Sequence, residues 1–93
     1  MRVRIPSDVV FRDLAGETIL LNLTTGTYFG LDAVATRVWQ HVQDHGSTDT
    51  VIPAMLAEYD VDAARLGGDV DALIAQLLEK GLLVDAERVS SGS

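Results

Sequence analysis

A chain of 93 residues has room for one domain, and 47% hydrophobic against 23% charged residues is the balance of a globular protein rather than a disordered tail. It contains no cysteine, which excludes disulfide staples, thiolate metal sites and a cysteine nucleophile, and no apolar run or signal-peptide pattern, so a cytoplasmic location away from the membrane is expected. The net charge of −7 is unevenly placed: residues 1–31 balance Arg2, Arg4 and Arg12 against Asp8, Asp13 and Glu17, whereas residues 32–93 set Arg37, Arg65, Lys80 and Arg88 against eleven acids, the opposite of the basic face that nucleic acid demands.

The first third has the pattern of strands. Val9 to Leu14 is rich in β-branched and aromatic residues, Ala15-Gly16-Glu17 signals a turn, and Thr18 to Leu23 is a second strand. Thr24-Thr25-Gly26 turns again into a short third strand, Thr27 to Leu31. Short turns between consecutive strands imply an antiparallel meander, with Pro6 marking a point where extended pairing is not expected to begin.

The remainder has the period of helices. Asp32 is positioned to cap a first helix carrying Val34, Val38, Trp39 and Val42, which His45-Gly46 ends. Ser47 or Thr48 is expected to cap a second, with Val51, Ile52, Met55, Leu56 and Tyr59, and Pro53 must fall in its first turn. Asp62 is expected to cap a third, Ala63 to Lys80, with Leu66, Val70, Leu73, Ile74, Leu77 and Leu78 on one face and Gly81 just past its end. Within it Gly67-Gly68 costs roughly 1.5–2 kcal/mol against alanines, implying a loose first turn or a close approach to the backbone. Leu82-Leu83-Val84 is expected to pack back on the core, and Glu87 to Ser93 to be a disordered tail, leaving residues 1–86 as a single domain. Three strands followed by three helices make an α+β fold.

Little in the chain points to catalysis. His41 and His45 are spaced i, i+4, but no third ligand accompanies them, and two solvated histidines at a helix end account for them; no metal or cofactor is expected. Asp60, Asp62, Asp69 and Asp71 do not follow the spacing of a calcium loop, and Gly67-Gly68 lacks both nucleotide fingerprints. What remains is a surface for binding. The third strand is expected to form a sheet edge, and it carries neither the lysine nor the proline that usually protects one. Tyr28 and Phe29 point to opposite faces of it, so one packs inward. The face of the third helix is wide enough either to be wholly core or to line a groove beside that edge.

At these residues the chain resembles a family. Leu23 to Asp32 (LTTGTYFGLD) is similar to the strand–turn–strand signature of the PqqD-like proteins, Ala35 to Trp39 to the helix that follows it, and Leu77 to Leu82 (LLEKGL) to their C-terminal pattern. The resemblance spans about residues 8–84. It implies a winged helix-turn-helix-like fold and a RiPP recognition element, a non-catalytic adaptor of ribosomal peptide biosynthesis. The member most similar in kind is a stand-alone protein of lasso-peptide biosynthesis. Its partners would be the leader segment of a precursor peptide and a separate leader peptidase, with a cyclase beyond; a free-standing chaperone for a radical peptide-modifying enzyme is the near alternative, and a winged-helix DNA-binding regulator the distant one. By position, the leader would pair as an added strand with Thr27, Tyr28, Phe29, Gly30 and Leu31. Its apolar side chains would enter a cleft lined by Leu66, Asp69, Val70, Leu73 and Ile74, with Asp69 and Asp71 available to attract leader cations.

Overall fold

The computed structural model describes residues 1–86, so the expectation for Glu87–Ser93 lies outside the described residues. Eight elements follow in chain order: β1 (Val3–Arg4), β2 (Val9–Leu14), β3 (Glu17–Asn22), β4 (Tyr28–Leu31), α1 (Ala33–His45), α2 (Val51–Glu58), α3 (Ala63–Glu79) and β5 (Val84–Asp85). The class is α+β, and β2, β3 and β4 form the expected antiparallel meander in that order. Ala15 and Gly16 close its first hairpin with φ of 55° and 87°, the left-handed pair of a type I′ turn whose twist matches the strands. The β3–β4 connection turns at Gly26, φ 76°.

Period-2 alternation sends Thr18, Leu20 and Asn22 of β3 toward the helices, where they are buried. Leu31, Trp39, Met55, Leu77 and Leu82 close over them as one core, and the Phe11 ring meets Trp39 edge-on at 5.5 Å between centroids. Leu82 and Leu83 pack back into that core as expected.

Four features depart from the sequence reading. The strand pair β1–β5, with Val3 opposite Asp85 and Arg4 opposite Val84, is too short for periodicity to register. Ser47 and Thr48 do not cap α2. Thr48 donates from its N–H and its hydroxyl to the Met1 carbonyl, at 2.8 and 3.3 Å, and Ser47 bridges to Arg2, so the helix begins later, behind Thr50. Pro53 still falls in its first turn. α3 runs unbroken through Gly67 and Gly68, and a Cβ at Gly67 would merely touch Ile52 Cδ1 at 3.7 Å, so neither glycine marks a loose turn or a forced close approach. His41 is not solvated: it is buried between α1 and α2, with Nε2 2.9 Å from Glu58 Oε2, and only His45 is exposed.

Candidate interaction site: an open strand edge and the adjoining groove

Among the described residues β4 is paired on one side only, by β3, with Thr18 opposite Leu31, Ile19 opposite Gly30, Leu20 opposite Phe29 and Leu21 opposite Tyr28. Which backbone groups face outward follows from one bond. The Asn22 N–H donates to the Thr27 carbonyl at 2.8 Å, so Thr27 belongs to a hydrogen-bonded position of the ladder. Antiparallel ladders alternate, so Phe29 and Leu31 also direct their N–H and C=O to β3, while Tyr28 and Gly30 direct theirs to the open side. The same alternation turns side chains: Phe29 packs half-buried against the core, Leu31 is buried, and the Tyr28 ring, 72% exposed, lies on the outer face.

Where β4 ends, Asp32 caps α1, its Oδ1 accepting the Ala35 N–H at 2.8 Å. From there a groove opens between α1 and α3. One cavity of about 370 Å³ is lined by Asp32, Val34, Ala35 and Val38 on one wall and Leu66, Asp69, Val70 and Leu73 on the other. A second of about 390 Å³ shares Val34, Leu66 and Asp69 and continues past Val61, Asp62 and Arg65. The groove has an apolar floor and a rim carrying the carboxylates of Asp32, Asp62 and Asp69 with one guanidinium.

The structure therefore brings Leu66, Asp69, Val70 and Leu73 together beside the end of the edge strand. It does not bring Ile74 there: that side chain is 6% exposed and belongs to the core, one helical step round from Leu73. Asp71 lies on the exposed side of α3, outside the lining of the groove. The α1 wall and Val61 escaped the sequence reading. Val34 shares the helical spacing of the buried Val38 and Trp39, yet it is 45% exposed and lines the groove.

Outside this groove the α1–α2 contact holds an ionic cluster. Arg37 donates to Glu58 through Nε at 2.8 Å and Nη2 at 2.6 Å, and His41 completes the group. The hydrogen bonds from Arg37, helped by that of His41 and by both charges, hold the Glu58 carboxyl down to about 2, and the hydrogen bonds to that carboxylate raise the Arg37 guanidinium. No group of three metal-ligating side chains occurs among the described residues, and none of their helices is long and apolar enough to cross a membrane.

A family model described as coenzyme PQQ synthesis protein D (PqqD) matches residues 17–83. Two solved structures share the fold. TbiB1 in complex with the TbiA(beta) leader peptide is 38% identical, with a TM-score of 0.80 over 86% of this chain and 93% of that one. A lasso peptide synthetase B1 complexed with the leader peptide is 24% identical, with a TM-score of 0.80 over 91% of this chain and all of that one, a likeness of fold alone. No curated protein matches the chain.

Proposed function

This chain belongs to the PqqD family, and we propose that within it the chain is a non-catalytic adaptor that captures the leader segment of a ribosomal precursor peptide. The leader adds as an antiparallel strand to β4 and lays apolar side chains into the groove between α1 and α3. The observation that carries this reading is the open edge of Tyr28 and Gly30 running into an apolar groove, in a fold shared with a relative solved in complex with a leader peptide.

Magnitudes decide how the two parts divide the work. Tyr28 and Gly30 offer two N–H and two C=O groups, and four ladder bonds at roughly 0.5–1.5 kcal/mol each contribute roughly 2–6 kcal/mol net. Association alone costs at least about 4 kcal/mol, so backbone pairing gives little or no stable complex. Two or three buried apolar anchors at roughly 1.5–3 kcal/mol each leave a net of about 1–11 kcal/mol, which reaches the roughly 8 kcal/mol of micromolar binding only when the anchors are deeply buried. Affinity and choice of peptide therefore come from the groove, and the ladder sets direction. Against β4 an antiparallel leader has its N-terminal part at Leu31 and Asp32, where the groove begins, and its C-terminal part at Tyr28.

In this reading residues 1–86 act as a single domain that hands the bound precursor to a separate leader peptidase and then a cyclase, as in lasso-peptide biosynthesis. Gene neighbours of those classes beside a short precursor gene would support this setting over service to a radical enzyme, and their absence would count against it. Duplex DNA is disfavoured as a ligand: α3 carries Arg65 against Asp69, Asp71 and Glu79, with Lys80 just past its end.

The test is a fluorescence titration with labelled TbiA(beta) leader peptide. Saturable binding at micromolar or lower concentration is expected, and a scrambled peptide should not bind. Absence of binding overturns the reading. Mass spectrometry of a full precursor incubated with the chain alone should show no change in mass; any modified product contradicts the non-catalytic role.

A further inference from the structure

The edge strand β4 and the helix α3 belong to parts of the chain far apart in sequence, and one buried side chain joins the turn before the one to the end of the other. Asn22 is the last residue of β3 and is 5% exposed. Its Oδ1 accepts the N–H of Thr24 at 2.9 Å and of Thr25 at 3.1 Å, while its carbonyl accepts the Gly26 N–H at 2.8 Å. These bonds shape the turn from which β4 departs. The Nδ2 of the same amide donates to the carbonyl of Gly81 at 3.0 Å, across 59 residues of sequence. Gly81 ends α3 with φ 72°, which favours glycine, and a Cβ there would press on that Nδ2 at 3.2 Å. The orientation of the amide is not arbitrary: two N–H groups require the oxygen on one side and a carbonyl requires the nitrogen on the other.

We infer that Asn22 is a positioning residue for peptide capture: one amide fixes where the edge strand starts and where α3 ends, and so sets the spacing of β4 against α3, the helix whose side chains line the groove. The inference rests on the proposed capture at β4. Lys80, whose Nζ lies 5.9 Å from the centre of the Phe29 ring, follows the same junction, because it sits between α3 and Gly81. Without the staple, α3 and β4 remain tied only through the core, and the binding-competent spacing becomes one of several. Apparent affinity then falls by the fraction of molecules that hold it.

Two substitutions separate the two halves of the amide. Asn22→Ser keeps a local acceptor for the turn but is too short to reach Gly81. Asn22→Asp keeps the acceptors and sets a carboxylate against the carbonyl at the negative end of α3. Affinity for labelled TbiA(beta) leader peptide is measured at a temperature where each variant is fully folded, beside Val51→Ala, which removes buried volume from α2 outside the groove. Both Asn22 variants should bind about tenfold more weakly, and Val51→Ala should bind as wild type at a comparable loss of thermal midpoint. Wild-type affinity in Asn22→Ser, or an equal loss in Val51→Ala, overturns the inference. Amide exchange gives a readout free of peptide: in Asn22→Ser the Phe29 and Leu82 amides should exchange faster together while those of α2 do not. Unchanged exchange overturns the staple on its own, whereas a wild-type protein that fails to bind the leader overturns the proposed function instead.

Discussion

The sheet has two edges, and they differ in what stands beside them. On β2 the Asp8 carbonyl accepts the Leu23 N–H at 2.8 Å, so ladder alternation turns the backbone groups of Val9, Phe11 and Asp13 outward. The Val9 N–H is closed by the Pro6 carbonyl at 3.1 Å, leaving Phe11 and Asp13. On β4 the outward residues are Tyr28 and Gly30. The two edges thus offer a comparable row of unpaired main chain. Beside β2 the apolar side chains Val10, Phe11 and Leu14 stay exposed around an open hollow of about 410 Å³ lined by β2 and β3 alone, whereas β4 runs into the wall of α1 and α3. Unpaired backbone accepts any peptide; a groove with shape and hydrophobicity accepts few. The difference between the edges is the difference between adhesion and recognition.

The largest expected effect removes that difference. Leu73→Asp places a carboxylate in the half-buried lining of the groove, where a bound leader would desolvate it. Leader affinity in a fluorescence titration should fall tenfold or more, with little change in fold because Leu73 lies at the rim of the core. Unaltered affinity would mean that the groove is not where the anchors go, and the two edges would become equivalent again.

A smaller effect comes from the property the edges share. Gly30→Pro deletes one outward N–H of β4 and leaves the β3 ladder intact. A Cβ there would meet only Ile19 Cδ1 at 3.7 Å, an ordinary contact, and the ring would take the place of the outward N–H. Losing one ladder bond of roughly 0.5–1.5 kcal/mol should weaken leader binding about two- to tenfold. Proline at Phe29 is the wrong probe, because that N–H faces β3 and its loss would damage the sheet itself. Leader affinity indifferent to Gly30→Pro would show that the peptide lies in the groove without pairing.

Much of this was legible in the residues. Gly-punctuated β-branched runs predicted the meander, the 3.6-residue period predicted three helices, and an edge strand without lysine or proline drew attention to β4. The rest depends on facts that periodicity does not carry. Whether Tyr28 or Phe29 turns its N–H outward is decided by the hydrogen bond between Asn22 and Thr27, a matter of register across the turn. Leu73 and Ile74 look alike on a helical wheel, and only the placement of α1 separates groove from core. Asn22 escaped because a buried asparagine has no sequence signature until its partner, 59 residues on, is known. The burial of His41 has no signature in the sequence either, because Glu58, its partner, lies on another helix.

The ionic cluster of α1 and α2 provides a test lying outside both edges. Glu58 is held down to about 2 in the fold, against an ordinary 4.5. A depressed carboxylate binds fewer protons folded than unfolded, so its contribution to stability is complete above the ordinary value and is lost as pH falls toward about 2. Thermal midpoints of wild type should fall across that window, and Glu58→Gln should show a flatter profile with a lower midpoint at neutral pH. Leader affinity at neutral pH should stay within about twofold of wild type, since neither Arg37 nor Glu58 lines the groove. A matching loss of affinity would extend the recognition surface onto α2.

The smallest effect concerns the far edge alone. Ala15 holds φ 55° at the first position of the β2–β3 turn, where an L-residue with a Cβ is strained and asparagine is preferred before glycine. Ala15→Asn should relieve the strain and stabilise the protein by about 0.5–1 kcal/mol, raising the thermal midpoint by about 2–8 °C for a domain of this size. Because the hairpin it tightens ends in β2, leader affinity should not move. A midpoint that stays put or drops would contradict the type I′ geometry. A change in affinity without a change at β4 would mean that the outer strand takes part in capture, and the asymmetry between the edges would have to be drawn from the sheet as a whole rather than from the groove.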